Sequence, residues 1–262
     1  MNTLIVIKIG GNVIDSADAL ATFLSDLASL KAQWILVHGG GKLATDLSAR
    51  LGIATQMIDG RRVTDQVTLD VVTMVYGGLV NKRIVAGLQA HGVNALGLTG
   101  ADGDIIRAKK RMHPTTDYGF VGDVERVSAE RLDSLLQQGF LPVLAPLTHD
   151  GTGNILNTNA DTIAAETASS LASRYNVRLV YCFEKRGVLR DITDEASVIP
   201  RITAQDYEDL RASGAIAKGM IPKMDNAFAA LRRGVQAVTI MSADSIGRLQ
   251  NADSVGTTII AE

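Results

Sequence analysis

The sequence predicts an α/β protein in which a largely parallel sheet is covered by helices on both faces. Apolar, β-branched runs recur along the chain, and helical patterns that end at glycine separate most of them. The 262 residues are enough for a sizeable core, with 46% hydrophobic and 21% charged residues. Alternation of this kind favours a three-layer α/β/α sandwich, because each helical crossover between parallel strands covers one face of the sheet.

The predicted core strands are short apolar runs. They cover residues 4–9, 34–37, 95–98, 141–145, 177–183 and 235–241. The segment 104–127 breaks this rhythm with short alternating stretches around Gly119 and Gly122. It predicts β-hairpins at one edge of the sheet or over a site.

Helix ends are signalled by glycine, proline and capping residues. Predicted helices over 43–51, 86–91 and 129–138 each stop at a glycine, and Asn159 is a candidate N-cap for the next helix. Thr203 and Asp206 resemble a capping box that opens a helix to residue 212. Pro222 suits the first turn of a helix through residue 233. We place a lobe boundary near Arg174, after the helix that starts at Asn159.

Composition excludes several classes of function. The 26 Lys and Arg against 28 Asp and Glu leave a net charge of −2, which argues against a nucleic-acid partner. The single cysteine, Cys182, excludes a disulfide framework and reads as a small core residue. The longest apolar runs fall far below the ~18 residues of a membrane span. We expect a soluble, cytoplasmic protein with no membrane partner.

Two glycine-rich turns, each after a predicted strand, carry the strongest chemical signal. Gly10 and Gly11 follow Lys8, whose ammonium is costly in an apolar strand unless it meets a counter-charge or a phosphate. The second turn, residues 39–41, includes Gly40 and Gly41. Glycine lets backbone N–H groups approach an anion closely. Two such turns suggest a phosphate chain or a transferring phosphoryl group held between them, although either can be a simple tight turn.

The second turn also fits a dinucleotide fingerprint, Gly39-x-Gly41-x-x-Ala44, with Asp59 about 20 residues on. It does not fit a P-loop, because Leu43 stands where Ser or Thr is required. A nicotinamide-dependent oxidoreductase is therefore an alternative, but it gives Lys8 and its glycine turn no role.

Further polar residues are candidates for a binding site. Asn157, Asn159 and Asp161 alternate at a loop-to-helix junction, where capping explains one of them but not all three. Lys223, in the segment 218–223, lies near the positive end of a predicted helix, which implies an anionic partner or a solvated surface lysine. Arg62 can clamp a carboxylate bidentately or form a surface salt bridge. The four histidines show no metal-ligand spacing, so no protein metal site is assigned.

Six ordered segments, KIGGN, VHGGGK, GRRVTD, NTNAD, GMIPK and GTTI, resemble the amino-acid kinase family, and within it the branch that acts on acylglutamates. The resemblance implies a two-lobed α/β/α sandwich. Residues 1–174 would bind the acylglutamate and form a homodimer, and residues 175–262 would bind ATP. The implied reaction is ATP-dependent phosphorylation of the γ-carboxylate of N-acetyl-L-glutamate, or another N-acyl-L-glutamate such as the succinyl compound, in arginine biosynthesis. Mg²⁺ would arrive with the nucleotide.

The resemblance also implies residue roles. Lys8 and Lys223 would flank the transferring phosphoryl group, with Asp161 orienting both. Arg62 and Asn157 would grip the substrate α-carboxylate. Backbone N–H groups would come from the phosphate- and substrate-binding glycines Gly10, Gly11, Gly40 and Gly41. Residues 182–187, CFEKRG, depart from the family's usual Thr/Ser-Asp pair followed by Gly, so no nucleotide contacts are transferred there.

We further expect a homodimer without arginine feedback. The arginine-inhibited, hexameric members carry an N-terminal helix, whereas the first strand here begins at about residue 4. A non-catalytic sensor with the same fold is the remaining alternative, and the presence of both lysines and Asp161 argues against it.

Overall fold

The apolar runs form strands in the computed structural model. The structure describes residues 1–58, 60–191, 193–212, 220–249 and 255–261. The strands in chain order are β1 Thr3–Ile9, β2 Gln33–His38, β3 Met57–Ile58, β4 Arg61–Arg62, β5 Ala95–Leu98, β6 Ile106–Lys110, β7 Gly122–Val127, β8 Leu141–Leu144, β9 Leu147–His149, β10 Ile155–Asn157, β11 Asn176–Phe183, β12 Arg201–Ile202, β13 Ala237–Ser242 and β14 Thr257–Ile259. The six predicted core strands correspond to β1, β2, β5, β8, β11 and β13, with ends shifted by no more than about two residues, as is usual for element boundaries.

Helices connect most of these strands. They are α1 Gly11–Asp15, α2 Ala17–Ala28, α3 Gly41–Arg50, α4 Gln66–Val72, α5 Asn81–Ala90, α6 Ala129–Gln137, α7 Ala160–Leu171, α8 Ala204–Ala212 and α9 Ile221–Arg232. A π-helical segment, Thr73–Val80, joins α4 to α5 without a break. The helix predicted over residues 86–91 is therefore only the end of a longer one. Its middle was hidden because Gly77 and Gly78 interrupt the helical pattern.

The main sheet has eight strands in the order β12-β14-β13-β11-β1-β2-β8-β5. The six strands from β13 to β5 are parallel, whereas β14 runs antiparallel to β13 and parallel to β12. A separate cluster of buried side chains lies on each face of this sheet. One cluster includes side chains of helices α6 to α9, and the other includes side chains of helices α1 to α5. The predicted three-layer α/β/α architecture is confirmed.

The hairpin prediction is also confirmed. β6 and β7 pair antiparallel, and with β9 and β10 they form a four-stranded sheet in the order β10-β9-β6-β7. Asn157, the last residue of β10, is bridged to Val121 just before β7. This second sheet therefore fixes the position of the loop that leads into α7.

The capping signals act as predicted. Asn159 accepts a hydrogen bond from the N–H of Thr162 at 3.0 Å. Thr203 and Asp206 cap each other, since the Asp206 side chain accepts from the Thr203 N–H at 2.9 Å and the Asp206 N–H donates to the Thr203 hydroxyl at 3.2 Å. Pro222 lies in the first turn of α9. Local sequence therefore sets where α7, α8 and α9 begin.

Within the described residues, one continuous helix, Gln66–Ala90, is long and apolar enough to cross a membrane by length and composition alone. The most apolar 18-residue stretch of this 25-residue helix has a mean hydropathy of 1.2, and 44% of that stretch is buried inside the protein. Leu69, Val72, Ile84 and Leu88 pack into the core against α2 and the sheet. The same features are typical of a core helix.

Candidate functional site

The two glycine turns lie side by side at the carboxyl edge of the main sheet. β1 is parallel to both β2 and β11, with Ile9 opposite His38 on one side and Cys182 on the other. The Gly39 N–H donates to the Ile9 carbonyl at 3.1 Å. Carboxyl ends of neighbouring parallel strands are where open α/β sheets place their ligand crevices.

Each turn leads directly into a helix that has no side-chain cap. Gly10 is the N-cap of α1 and Gly40 is the N-cap of α3. First-turn N–H groups that lack a capping side chain are ready donors to an anion. Gly40 has φ +148°, and a Cβ there would lie 3.0 Å from the Tyr76 ring, so glycine is required. A Cβ on Gly41 would meet no atom within 4 Å, so that residue faces open space.

Lys8 and Asp161 form an ion pair on the α7 side of the sheet. The Lys8 Nζ lies 2.8 Å from Asp161 Oδ1, and Lys8 is only 8% exposed. Asp161 Oδ1 is itself buried. Asp161 lies in the first turn of α7, just after the Asn159 cap. The cap prediction therefore also accounts for the position of the carboxylate beside Lys8.

Lys223 lies in the first turn of α9 and reaches the same cluster by a different contact. Its Nζ lies 3.4 Å from the centroid of the Phe183 ring. Burial lowers the pKa of Lys223, while the charge of Asp161 raises it and that of Lys8 lowers it further. The structure thus brings Lys8, Asp161 and Lys223 together, with Lys223 resting on an aromatic ring.

Sequence reasoning missed Phe183. In the parallel β1–β11 register, Lys8 is opposite Tyr181. Phe183 is two residues beyond Tyr181 and so faces the same side of the sheet. The register itself is a tertiary property, which is why the sequence alone did not expose the contact.

Neutral oxygens surround the guanidinium of Arg62, which is not part of the lysine cluster. Its Nη2 donates to the Gly41 carbonyl at 2.9 Å and to the Thr45 hydroxyl at 2.8 Å, and its Nη1 donates to the Thr55 hydroxyl at 3.2 Å. Arg62 is 7% exposed, and no described carboxylate pairs with it. A buried cation without a counter-charge favours an anionic ligand. The two threonines were not identified from the sequence.

A cavity of about 190 Å³ opens between Arg62 and the second glycine turn. Gly40, Gly41 and Asn157 line it, and Tyr76 from the π-helical segment closes one side. Asn157 Nδ2 donates to the Thr64 hydroxyl at 3.0 Å. The lining includes neither Lys8 nor Lys223. The predicted site residues therefore form two groups, a cavity around Arg62 and a lysine cluster beyond the glycine turns.

His38 and Cys182 take structural roles. His38 is fully buried, donates from Nδ1 to the Gly39 carbonyl at 2.7 Å and accepts from Asn81 at Nε2. Burial lowers the pKa of His38 to about 4, so the ring is neutral. Burial raises the pKa of the Cys182 thiol to about 12, and its core position agrees with the prediction. In the described part of the chain, no three His, Cys, Asp or Glu side chains are grouped as metal ligands.

Residues 3–242 match the amino acid kinase family. The chain belongs to this family. Membership in this family replaces the interpretation of Gly39-x-Gly41-x-x-Ala44 as a dinucleotide-binding fingerprint. Asp59, which that interpretation needed, lies outside the described residues, as do Lys218 and Gly219 of the GMIPK region.

Several curated members of the amino acid kinase family are similar to the chain over its full length. An acetylglutamate kinase from Cytophaga hutchinsonii is 56% identical, with 100% of both chains covered. One from Bacteroides thetaiotaomicron is 56% identical over 98% of each chain, and one from Methanopyrus kandleri is 42% identical over 92% of this chain and 96% of its own.

Solved structures agree with the amino acid kinase fold. An N-acetylglutamate synthase from Neisseria gonorrhoeae, complexed with coenzyme A and N-acetyl-glutamate, matches with a TM-score of 0.84 at 24% identity. The match covers all of this chain but 60% of that one, so the synthase contains further sequence outside the shared fold. The protein smu.665 from Streptococcus mutans matches with a TM-score of 0.77 at 29% identity, over 99% of each chain.

Proposed function

We propose that this chain uses ATP to phosphorylate the γ-carboxylate of N-acetyl-L-glutamate, yielding the 5-acyl phosphate in arginine biosynthesis. Relatives named acetylglutamate kinase, 56% identical over 98–100% of this chain, support the reaction class. The observation that carries the site assignment is the buried Arg62 guanidinium, which faces a small cavity and lacks a described carboxylate partner.

In this proposal, Arg62 and Asn157 hold the α-carboxylate of the acylglutamate. A guanidinium can donate two parallel hydrogen bonds to a carboxylate, and the Asn157 amide supplies a further polar contact at the cavity wall. With the α-carboxylate held there, the γ-carboxylate extends past Gly40 and Gly41 toward the lysine cluster. The first glycine turn borders the lysine cluster, since a Cβ on Gly10 would lie 3.7 Å from Lys8 Nζ.

The chemistry requires positioning and charge neutralisation rather than a strong base. The ionised γ-carboxylate is already a nucleophile, and its oxygen forms a bond to the γ-phosphorus of ATP as the bond to the ADP oxygen breaks. Lys8 and Lys223 supply positive charge to the oxygens of the transferring group. N–H groups of the two glycine turns donate to the same group or its neighbours. Asp161 holds Lys8 and accepts no proton in this scheme.

Mg²⁺ is proposed as the partner of ATP. The described residues offer no group of three carboxylate, histidine or cysteine ligands, so we assign no protein ligand to the ion and derive no step through it. When bound to the nucleotide, Mg²⁺ supplies neutralisation of phosphate charge.

We also propose a division of the chain into two lobes and a homodimeric state. Residues 1–174 contain the Arg62 cavity and would bind the acylglutamate, while residues 175–262 would bind ATP. A homodimer is supported by Val67, Met74 and Leu79, apolar residues of the Gln66–Ala90 helix that are 41–55% exposed. Burying such residues is favourable by about 25 cal/mol per Å². A cytoplasmic location fits a biosynthetic enzyme of this kind.

Light scattering tests the dimer, and Met74→Glu provides the matched disruption. A dimeric parent and a monomeric variant are expected. A monomeric parent, or a hexamer, would contradict the assignment.

A hydroxamate assay for the acyl phosphate tests the reaction. The purified chain is incubated with ATP, Mg²⁺ and one of several acceptors: N-acetyl-L-glutamate, N-succinyl-L-glutamate, free glutamate, aspartate or UMP. Acyl hydroxamate from an N-acylglutamate alone is expected, and the ratio of acetyl to succinyl product defines the acyl specificity. If no acceptor yields hydroxamate or ADP, the chain is a non-catalytic relative and the proposal is wrong.

A further inference from the structure

Phe183 lies at the carboxyl end of β11, beside both lysines of the cluster. Its ring stacks on Tyr181, with centroids 6.0 Å apart and an interplanar angle of 22°. The Tyr181 hydroxyl donates to the Asp161 carbonyl at 3.3 Å. The stacked rings therefore form a platform tied to α7, on the same face of the sheet as the Lys8–Asp161 ion pair.

Both ammonium groups lie within cation–π range of this one ring. Lys223 Nζ lies 3.4 Å from the Phe183 centroid, and Lys8 Nζ lies 5.5 Å from it. A cation over an aromatic face is attracted by the ring quadrupole within about 6 Å. The shorter distance places the stronger interaction on Lys223.

The two lysines differ in their need for such a contact. Lys8 has a carboxylate oxygen at 2.8 Å, whereas the described ion pairs include none to Lys223. The charged groups that act on Lys223 are Asp161 on α7, Lys8 on β1 and Glu184 just after β11. With Asp161 already paired to Lys8, the aromatic face is the closest partner for the second ammonium.

Packing alone does not account for this arrangement. Phe183 is half-buried against the core on this face, and the burial of apolar surface alone does not require an aromatic ring. A leucine there would leave the Lys223 ammonium half-buried over an apolar surface with no electrostatic gain. The aromatic ring adds an attraction to those of Asp161 and Glu184, one that an aliphatic side chain would not supply.

We propose that Phe183 is a positioning residue whose ring holds the Lys223 ammonium beside the Lys8–Asp161 pair, ready to meet the phosphates of ATP. The inference rests on the proposed kinase function and deepens it. Phe183 touches neither reacting atom in this scheme and acts through Lys223. It lies in the segment 182–187, which departs from the family's usual Thr/Ser-Asp pair.

Graded fluorination of Phe183 separates the electrostatic role from packing. Phenylalanine with one, two or three ring fluorines is incorporated at position 183, which reduces the electron density of the ring face with little change in shape. We expect kcat/KM for ATP to fall stepwise, by about 2- to 30-fold across the series, while the acylglutamate KM stays unchanged. Phe183→Leu should resemble the most fluorinated protein, and Phe183→Tyr should retain near-parental values.

A second readout does not depend on activity. The pH dependence of Lys223 acetylation by acetic anhydride, followed by mass spectrometry, reports the pKa of the Lys223 amine. Each fluorine weakens the interaction with the charged form, so the pKa should shift downward stepwise. The same series at Phe23, which is 1% exposed in the core on the other face of the sheet, is the matched control and should leave the pKa unchanged.

The two readouts distinguish the possible failures. If the pKa of Lys223 from acetylation is the same across the Phe183 series, the contact between ring and ammonium is overturned. If that pKa shifts while kcat/KM for ATP stays constant, the positioning role is overturned. If the parent produces no acyl phosphate from any acceptor, the proposed function fails while the labelling series still decides whether the ring holds Lys223.

Discussion

The two ends of the candidate site hold positive charge in opposite ways. At one end, carbonyl and hydroxyl oxygens surround the Arg62 guanidinium, and no described carboxylate pairs with it. At the other end, Lys8 is paired with Asp161, and Lys223 rests on an aromatic ring. Neutral dipoles leave a charge available to a ligand, whereas an ion pair fixes a charge in place.

This difference suits two different tasks. A carboxylate that stays charged throughout a reaction needs an open, preformed receptor, and its binding contributes equally to ground and transition states. A phosphoryl group in transfer needs charges held still, because reorganisation during the reaction costs free energy. Variants at the two ends should therefore separate effects on substrate KM from effects on kcat.

The largest effect is expected for Lys8→Met, which removes a fixed charge from the lysine end. Losing one preorganised group of this kind lowers kcat by about 10²- to 10³-fold. The acylglutamate KM should change little, because Arg62 is untouched. Steady-state kinetics with both substrates provide the measurement, and a variant that retains most of its kcat would show that Lys8 is not part of the catalytic machinery.

Asp161→Asn tests whether Lys8 and Asp161 act as one unit. The substitution keeps the shape of the side chain and removes its charge, so Lys8 loses the partner at 2.8 Å. The double variant with Lys8→Met should be little worse than the worse single variant, since residues in direct contact are not additive. Losses in kcat that simply multiply would mean that the two residues act independently.

Arg62→Ala should raise the acylglutamate KM by about 10- to 100-fold, the range expected for hydrogen bonds to a charged group. The KM for ATP should stay within about twofold, because the lysine end is separate from the cavity lining. Titrating each substrate at saturation of the other gives both values. An equal rise in the two KM values would contradict the division between the ends.

Thr45→Val should give a smaller change of the same kind. The variant removes the hydroxyl that accepts from Arg62 at 2.8 Å, and one hydrogen bond is worth about fivefold in KM for the acylglutamate. Thr45→Ser is the matched control, since it keeps the hydroxyl and should behave like the parent. If Thr45→Ser changes KM as much as Thr45→Val does, loss of the hydroxyl does not explain the change.

The smallest expected effect is a change in thermal stability when Lys223 is replaced by methionine. Burial lowers the pKa of this lysine in the folded protein below its unfolded value. The folded state then binds fewer protons than the unfolded state between the two pKa values, so parental stability rises with pH in that window. Lys223→Met removes the desolvation penalty and should raise the Tm at neutral pH by about 2 °C or less.

The gain from Lys223→Met should shrink as the pH rises toward that of an ordinary lysine, about 10.4. Thermal scans across pH give the measurement. Lys42→Met is the matched control, since Lys42 is exposed and pairs with Asp46, and it should show no stabilisation. A gain in Tm that grows with pH would mean that folding raises the pKa of Lys223 rather than lowering it.

Local signals in the sequence determined the strands, the glycine turns and the helix caps. Each depends on residues within a few positions of one another, as at Asn159 and Thr162 or at Thr203 and Asp206. The order of short motifs was enough to indicate the family and the reaction. Asp161 was identified as one of three alternating polar residues over 157–161, and the family resemblance supplied its role.

Only the tertiary structure decided which side chains meet. Lys8 and Asp161, Lys223 and Phe183, and Arg62 and Thr45 are each brought together by strand register and helix packing, with no spacing rule along the chain. The π-helical segment that places Tyr76 at the cavity was equally invisible, because its two glycines read as an interruption. Contacts between distant residues depend on the whole fold, whereas turns and caps are set by their immediate neighbours.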